Sequence, residues 1–197
     1  MSDALLTQLT IIAVMTGSPG PNNLLLITTG VHFGFHRSLP LVVGIVLGCA
    51  TMLLATTLGF HQLLQQIPAS KILLSIFSAG FLSYLVVRLW RTSSLSASPA
   101  LARPWRISEG AAFQWVNPKA WFMCLALASA EGSADTLFAT GLLILLFCLV
   151  ATPLLLLWGL AGSYLTAKLN QPGWLRRFNR LMALSLLACV ISLLADL

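Results

Sequence analysis

The sequence is short of charged side chains, and above all of acidic ones. Of its 197 residues 8% are charged, 5 of them Asp or Glu and 11 Lys or Arg, whereas 58% are hydrophobic. So few charged groups cannot cover the surface of a soluble core with a mean hydropathy of +0.91. The composition therefore excludes an ordinary soluble protein and indicates a membrane protein. The chain has room for about five to seven helical spans of roughly 20 residues each.

Other absences narrow the chemistry. The sequence has no phosphate-binding P-loop, which disfavours ATP-driven transport by this chain. It begins without the basic segment of a signal peptide, so we expect the first span to be retained. No CxxC pair is present, and we interpret the four cysteines as small buried residues rather than disulfides or metal ligands. They lie within apolar runs at Cys49, Cys124, Cys148 and Cys189.

Six apolar runs are present, and we predict that each crosses the membrane as a helix. None shows the alternation of a β-strand, so the predicted fold class is an all-α membrane protein. Helix-breaking prolines interrupt the first and fourth runs, at Pro19 and Pro21 and at Pro118. The runs cover about 4–30, 41–60, 71–90, 108–130, 136–162 and 174–195.

The basic residues predict the orientation. Nine of the eleven Lys and Arg residues lie in the first, third and fifth loops, which are therefore predicted to be cytoplasmic, with both termini outside. This distribution explains the net charge of +6 without a nucleic-acid partner. Membrane lipids are the expected surroundings. The nine residues are Arg37, Arg88, Arg91, Arg103, Arg106, Lys168, Arg176, Arg177 and Arg180.

The single transmembrane domain, 1–197, is predicted to contain two repeats. Residues 1–91 and 105–197 each hold three spans, joined by a linker at 92–104 that is rich in Ser, Ala and Pro. An odd number of spans makes the second repeat inverted relative to the first. Interrupted helices at matching places in two halves indicate the central site of a transporter.

The first interruption is a predicted binding element. Proline lacks a backbone N–H, so the break leaves the start of a second half-helix with free N–H groups and a partial positive charge, which suits an anion. Ordinary capping of the half-helix is the alternative role for its polar side chains. The candidate residues are Ser18, Pro19, Gly20, Pro21, Asn22 and Asn23.

Lys119 is the most informative residue of the fourth run. A Lys within a span costs about 2.5–3.5 kcal/mol on insertion scales, so it requires a partner, and no other span contains an acid. One interpretation is a counterion for a substrate carboxylate; the other is a cap for carbonyl groups at the first break. Asn117, before Pro118, and Gln114 are further candidates, either for substrate or for unwound backbone.

Two motifs resemble those of the LysE/RhtB family of amino-acid exporters, and the resemblance covers essentially the whole chain. The first is 18–23, Ser-Pro-Gly-Pro-Asn-Asn, followed by the glycines of 30–48; the second is 113–121 around Asn117-Pro118-Lys119. The resemblance implies an inner-membrane exporter, not an enzyme, that moves amino acids out of the bacterial cytoplasm by proton antiport without a cofactor. It implicates Pro19, Gly20, Pro21 and Asn22, and Asn117, Pro118 and Lys119. Some relatives have an acidic residue in the second span; its absence here disfavours a cationic substrate.

We therefore predict that the two breaks bind a small or neutral amino acid. Its carboxylate would lie at the half-helix and Lys119, and its ammonium at unpaired carbonyl groups. The coupling proton would be carried by Lys119, because burial favours an uncharged side chain, with Glu109 as the alternative.

Other functions stay open at this point. The chain could be a non-transporting membrane module that assembles with or regulates a partner, although such a module has little use for two interrupted spans. A metal-cation exporter would need acidic ligands within the membrane, and an intramembrane enzyme would need a cluster of catalytic residues there. His32 and His36 have no third ligand, so we interpret them as residues at a loop or headgroup position rather than as a metal site. Two glycine pairs, Gly30 with Gly34 and Gly44 with Gly48, indicate close helix packing, with a homo-oligomer as the alternative.

Overall fold

The computed structural model describes residues 3–60, 70–91, 103–131, 137–169 and 173–195. Within these ranges the chain forms eight α-helices and no strand, which confirms the all-helical fold class. Most of the predicted linker 92–104 lies outside the described residues. The helices are α1 (Asp3–Gly17), α2 (Pro21–Phe33), α3 (Phe35–Ala55), α4 (Ser70–Arg91), α5 (Ile107–Trp115), α6 (Pro118–Glu131), α7 (Leu137–Leu169) and α8 (Trp174–Ala195).

The first and fourth apolar runs are each divided into two helices at their prolines. The α1 helix ends at Gly17 and α2 begins at Pro21; α5 ends at Trp115 and α6 begins at Pro118. Proline is suited to the first position of a helix, where its missing N–H would have no partner inside the helix. Pro21 and Pro118 therefore act here as helix starts, and each follows a short stretch of unwound backbone, the first of which contains Pro19.

Two described segments, Phe35–Gly59 and Leu137–Thr166, are long and apolar enough to cross a membrane. The outer surface is also apolar, since large side chains such as Leu58, Phe122 and Leu149 are mostly exposed. Such a surface suits lipid better than water. The arrangement of six spans in two inverted repeats stays a prediction.

The connection between α2 and α3 is shorter than the sequence predicted. The second run was expected to begin near residue 41, but α3 begins at Phe35 and continues through Pro40. The chain turns at Gly34, whose positive φ of 84° is a conformation that favours glycine. The loop part of the interpretation of His32 and His36 is therefore wrong: His32 lies in the last turn of α2 and His36 in the first turn of α3. Their position at the level of the lipid headgroups stays a prediction.

Glycines bring two pairs of helices into backbone contact. On α3, a Cβ atom added to Gly44 would lie 2.4 Å from the carbonyl oxygen of Ile107, and one added to Gly48 would lie 2.6 Å from that of Ala111. On α2, a Cβ at Gly30 would lie 2.3 Å from the carbonyl oxygen of Gly159. Gly30, Gly44 and Gly48 pack within the bundle, as predicted, and fix α5 against α3 and α2 against α7. Gly34 does not, since a Cβ there would meet nothing within 4 Å; it serves the turn instead.

A glycine substitution at the contact between α2 and α7 tests this packing. We expect Gly30→Ala to destabilise the protein by about 1–3 kcal/mol, because backbone atoms cannot move aside as a flexible side chain can. Gly80→Ala in α4 is the matched control, since a Cβ there meets nothing within 4 Å. The measurement is thermal unfolding of both purified variants in the same detergent. Equal melting temperatures would contradict the packing account.

Candidate functional site

Asn23 satisfies backbone groups at the first break. Its side-chain amide donates to the carbonyl oxygen of Thr16 at 2.8 Å and to that of Ser18 at 2.7 Å. Both carbonyls lie at the end of α1, where the helix stops and their usual donors are missing. Asn23 itself is only 2% exposed. The sequence left two roles open for Asn23, substrate binding or satisfying backbone groups at the break. In this structure it satisfies backbone groups.

Lys119, from the fourth run, binds the same stretch of backbone. Its Nζ donates to the carbonyl oxygen of Ser18 at 2.7 Å, to the Ser18 hydroxyl at 2.9 Å and to the carbonyl oxygen of Pro19 at 3.1 Å. An ammonium group has three hydrogens, so these acceptors use all of them. The capping interpretation of Lys119 describes this structure. The break in the first run and the start of α6 are thereby joined.

Gly20 makes room for this contact. A Cβ atom at this position would lie 2.8 Å from Cδ and 3.0 Å from Nζ of Lys119. The backbone of Gly20 is fully extended, a conformation open to any residue, so the requirement for glycine comes from the Lys119 side chain. Because Gly20 has no side chain, the ammonium can reach the carbonyl groups on either side of Pro19.

Three amide side chains form a network between the two breaks. Asn22 and Gln114 exchange hydrogen bonds, with Asn22 Nδ2 donating to Gln114 Oε1 at 2.8 Å and Gln114 Nε2 donating back to Asn22 Oδ1 at 3.1 Å. Asn117 Nδ2 also donates to Asn22 Oδ1, at 3.2 Å. Gln114 and Asn117 are almost completely buried. The network therefore ties the start of α2 to the end of α5.

The second break has its own backbone partners. The Asn117 side-chain oxygen accepts from the Lys119 backbone N–H at 3.2 Å and so caps the start of α6. The Ser78 hydroxyl, from α4, donates to the carbonyl oxygen of Val116. Sequence analysis did not find Ser78, because a lone serine in an apolar run gives no signal of the carbonyl group that it will reach.

A cavity of about 30 Å³ lies where these elements meet. This volume has room for roughly one or two water molecules. Polar groups and apolar side chains from α1, α2, α3, α6 and α7 line it together. Sequence analysis did not single out Phe147 and Leu155 of α7, because their contribution depends on how the helices pack. The lining is Met15, Thr16, Gly20, Asn22, Asn23, Ile45, Cys49, Asn117, Lys119, Ala120, Met123, Phe147 and Leu155.

Glu109 lies away from this cavity. Its carboxylate forms an ion pair with the Arg103 guanidinium, one hydrogen bond of which measures 2.8 Å, and accepts from the Arg106 backbone N–H at 2.9 Å. The hydrogen bond from Arg103 to Glu109 raises the pKa of the Arg103 guanidinium. The structure therefore brings together the candidate residues of the two breaks and leaves Glu109 outside that group. Within the described ranges, no three His, Cys, Asp or Glu residues are placed to hold a metal ion.

Comparison with known proteins agrees with the two motifs. A family model described as LysE type translocator matches residues 13–196. The cysteine/O-acetylserine efflux protein of Escherichia coli strain K12 is 29% identical over 186 residues, with 92% of each chain covered. The protein of the same description from Salmonella choleraesuis is 30% identical over 188 residues, again with 92% of each chain covered. No solved structure gives a significant match.

The contact between Gly20 and Lys119 can be tested without a substrate. We expect Gly20→Ala to displace the ammonium group and to raise labelling of Lys119 by a small amine-reactive reagent several-fold. The fold should survive, because a lysine side chain is flexible. Gly17→Ala is the matched control, since a Cβ there meets nothing within 4 Å. Labelling is quantified by mass spectrometry, and equal labelling of the two variants would argue against the contact.

Proposed function

Because the chain belongs to the LysE type translocator family, we propose that it exports small neutral amino acids or their derivatives across the bacterial cytoplasmic membrane. The family makes it a transporter and not an enzyme. The observation that supports the proposed substrate is the junction of two interrupted helices at one ammonium group, Lys119, beside a cavity. Cysteine and O-acetylserine, the substrates named for the similar proteins, are small molecules with one carboxylate and one ammonium group.

The substrate is proposed to insert between Lys119 and the first break. Its carboxylate would take the ammonium of Lys119 from the carbonyl groups of Ser18 and Pro19. Those carbonyl groups would then accept from the ammonium group of the substrate. The exchange is balanced, because each group that loses a partner gains one of the same kind, and the carboxylate gives Lys119 a charged acceptor in place of a neutral one.

The start of α2 supports the same position for the carboxylate. Pro21 has no N–H, and in the described structure no side chain caps this helix at Gly20. The N–H groups of the first turn and the helix dipole therefore favour an anion at this end. The same end faces the cavity through Asn22 and Asn23.

The rest of the cavity lining supports a small uncharged substrate side chain. Its apolar wall comes from Met15, Ile45, Met123, Phe147 and Leu155. No lining residue is acidic, so a lysine or arginine substrate would bring a second cation without a counterion. The cavity of about 30 Å³ must widen to hold an amino acid. We infer that breaking the contacts of Lys119 allows this, and that substrate binding is thereby linked to movement at the break.

The helix contacts support the proposed pair of inverted repeats, 1–91 and 105–197. The proposed orientation, with both termini outside, rests on the distribution of the basic residues. The first-run helices α1 and α2 pack against α7, and the fourth-run helices α5 and α6 pack against α3. The third and sixth runs, α4 and α8, pack against each other. Exchanging each run with its counterpart in the other half converts these three pairings into one another, as two repeats related by a two-fold axis require. The contact of α2 with α3 has no counterpart of similar extent in the second half, so the symmetry of the described bundle is approximate.

Lys119 is the proposed carrier of the coupling proton. Its ammonium is stabilised by the carbonyl groups in one state and by the carboxylate in the other. It can release its proton while it passes between them, because apolar surroundings without an acceptor favour the neutral amine. Glu109 is less suited, because its carboxylate is bound by Arg103 and by the Arg106 backbone, and it does not line the cavity.

Lys119→Met tests whether the lysine recognises the substrate carboxylate. We expect the wild-type protein to bind cysteine in preference to cysteamine, which lacks the carboxylate. The variant should lose roughly tenfold or more in cysteine affinity, the value of a hydrogen bond to a charged group, and bind the two molecules alike. Binding is measured as protection against thermal unfolding in detergent.

The ratio of the two affinities separates the two roles of Lys119. If the lysine only caps the broken helix, Lys119→Met lowers the melting temperature but keeps the preference for cysteine. That result would overturn the proposed carboxylate role. Lys119→Arg serves as the charge-conserving control and should keep part of the preference.

Glu109→Gln tests the source of the coupling proton. We expect this variant to retain substrate-driven proton flux in liposomes, because the proposed carrier, Lys119, is intact. Arg103→Gln is the matched control, since it breaks the same exposed ion pair without removing an acid. Loss of proton flux in Glu109→Gln alone, with substrate efflux continuing, would assign coupling to Glu109 instead.

A further inference from the structure

A second cavity, of about 550 Å³, lies between α4 and α5 and shares no lining residue with the cavity at the breaks. On α5 it is lined by Glu109, Ala112 and Phe113, which recur at the spacing of one helix face, and directly after α5 by Val116. Gln114, of the amide network, is not among them. The short helix α5 thus separates this groove from the network.

The floor of the groove is apolar and aromatic. The rings of Phe81 and Phe113 have centroids 5.2 Å apart, and Trp105 packs 6.2 Å from Phe113 and 6.4 Å from Phe81. Leu85 and Val116 extend the apolar lining. Along α5 the floor runs for about 10 Å from Glu109 to Val116, at 1.5 Å per residue.

The charged residues of the groove lie at one end. Arg88 is in the last turn of α4 and Arg103 precedes α5, and both line the groove with Glu109. Two cations and one anion leave this end with one net positive charge. Arg88 also lies over the ring of Tyr84, at 5.3 Å from its centroid. The groove thus has a cationic end and an apolar remainder.

We propose that this groove binds an anionic phospholipid, with the phosphate at Arg88 and Arg103 and an acyl chain along Phe81, Phe113 and Val116. The charge and the apolar floor match the two parts of such a molecule. The groove is open to the surroundings of the helix bundle, since Tyr84, Ala112 and Arg103 are exposed. Both basic residues belong to the loop that their distribution predicts to be cytoplasmic, where bacterial membranes present anionic headgroups.

A lipid in this groove packs against α5 on the side away from Gln114. It therefore helps to set the position of α5 and, through Gln114, of the amide network that ties α5 to Asn22. The inference does not rest on which amino acid the protein exports, so a wrong substrate assignment leaves it intact.

The test is native mass spectrometry of the full chain, purified in detergent with equal amounts of phosphatidylglycerol and phosphatidylcholine. We expect wild-type protein to retain phosphatidylglycerol in preference. Arg88→Gln should lower its retention roughly fivefold, the effect of one basic residue on binding to anionic lipid. Arg91→Gln is the matched control, because Arg91 is exposed near the same end of α4 and does not line the groove.

A second variant keeps the test independent of charge. Ala112→Phe fills the groove from α5 and should reduce retention of both lipids while leaving Arg88 and Arg103 in place. The proposal is overturned if Arg88→Gln retains phosphatidylglycerol as wild type does, or if Arg91→Gln loses as much. It is also overturned if wild-type protein retains neither lipid, as it would if another part of the chain filled the groove.

Discussion

An interrupted helix leaves carbonyl groups without their usual donors, and an apolar environment makes each such group costly. In this protein the carbonyls of Thr16, Ser18 and Pro19 obtain their donors from two side chains, Asn23 and Lys119. Asn23 comes from the next helix of the same run, whereas Lys119 comes from the fourth run. The contact of Asn23 is local and stabilises the break. The contact of Lys119 joins the two halves of the chain at the break.

The difference between these contacts accounts for the proposed function. An amide bound to two carbonyl groups has no reason to leave them, but an ammonium bound to neutral acceptors is attracted to any carboxylate that reaches it. In the proposed function, Lys119 holds the break closed in the absence of substrate and exchanges partners in its presence. Gly20 is the necessary companion, because a side chain there would occupy the place of the lysine.

The helix α5 connects this site to the rest of the bundle. One side of it is held against α3 at Gly44 and Gly48, and Gln114 presents an amide to the first break. Another side faces the groove between α4 and α5, with its cationic end and aromatic floor. Since α5 has only nine residues, a molecule that packs in the groove contacts the same short helix that positions the amide network.

The sequence alone determined the helical fold class, both interruptions and the need of Lys119 for a partner, because each of these depends on local chemistry. Proline and glycine act on their own backbone, and a charge among apolar residues is costly wherever it lies. The sequence left open which groups Lys119 would bind. Only the packing of distant helices determined that they are the carbonyl groups of Ser18 and Pro19. The sequence could not separate Asn22 from Asn23, since neighbours on a helix point to different sides; one reaches Gln114 and the other the backbone. It gave no sign of Ser78 or Phe147, because an ordinary residue in an apolar run acquires its role from the helix that packs against it.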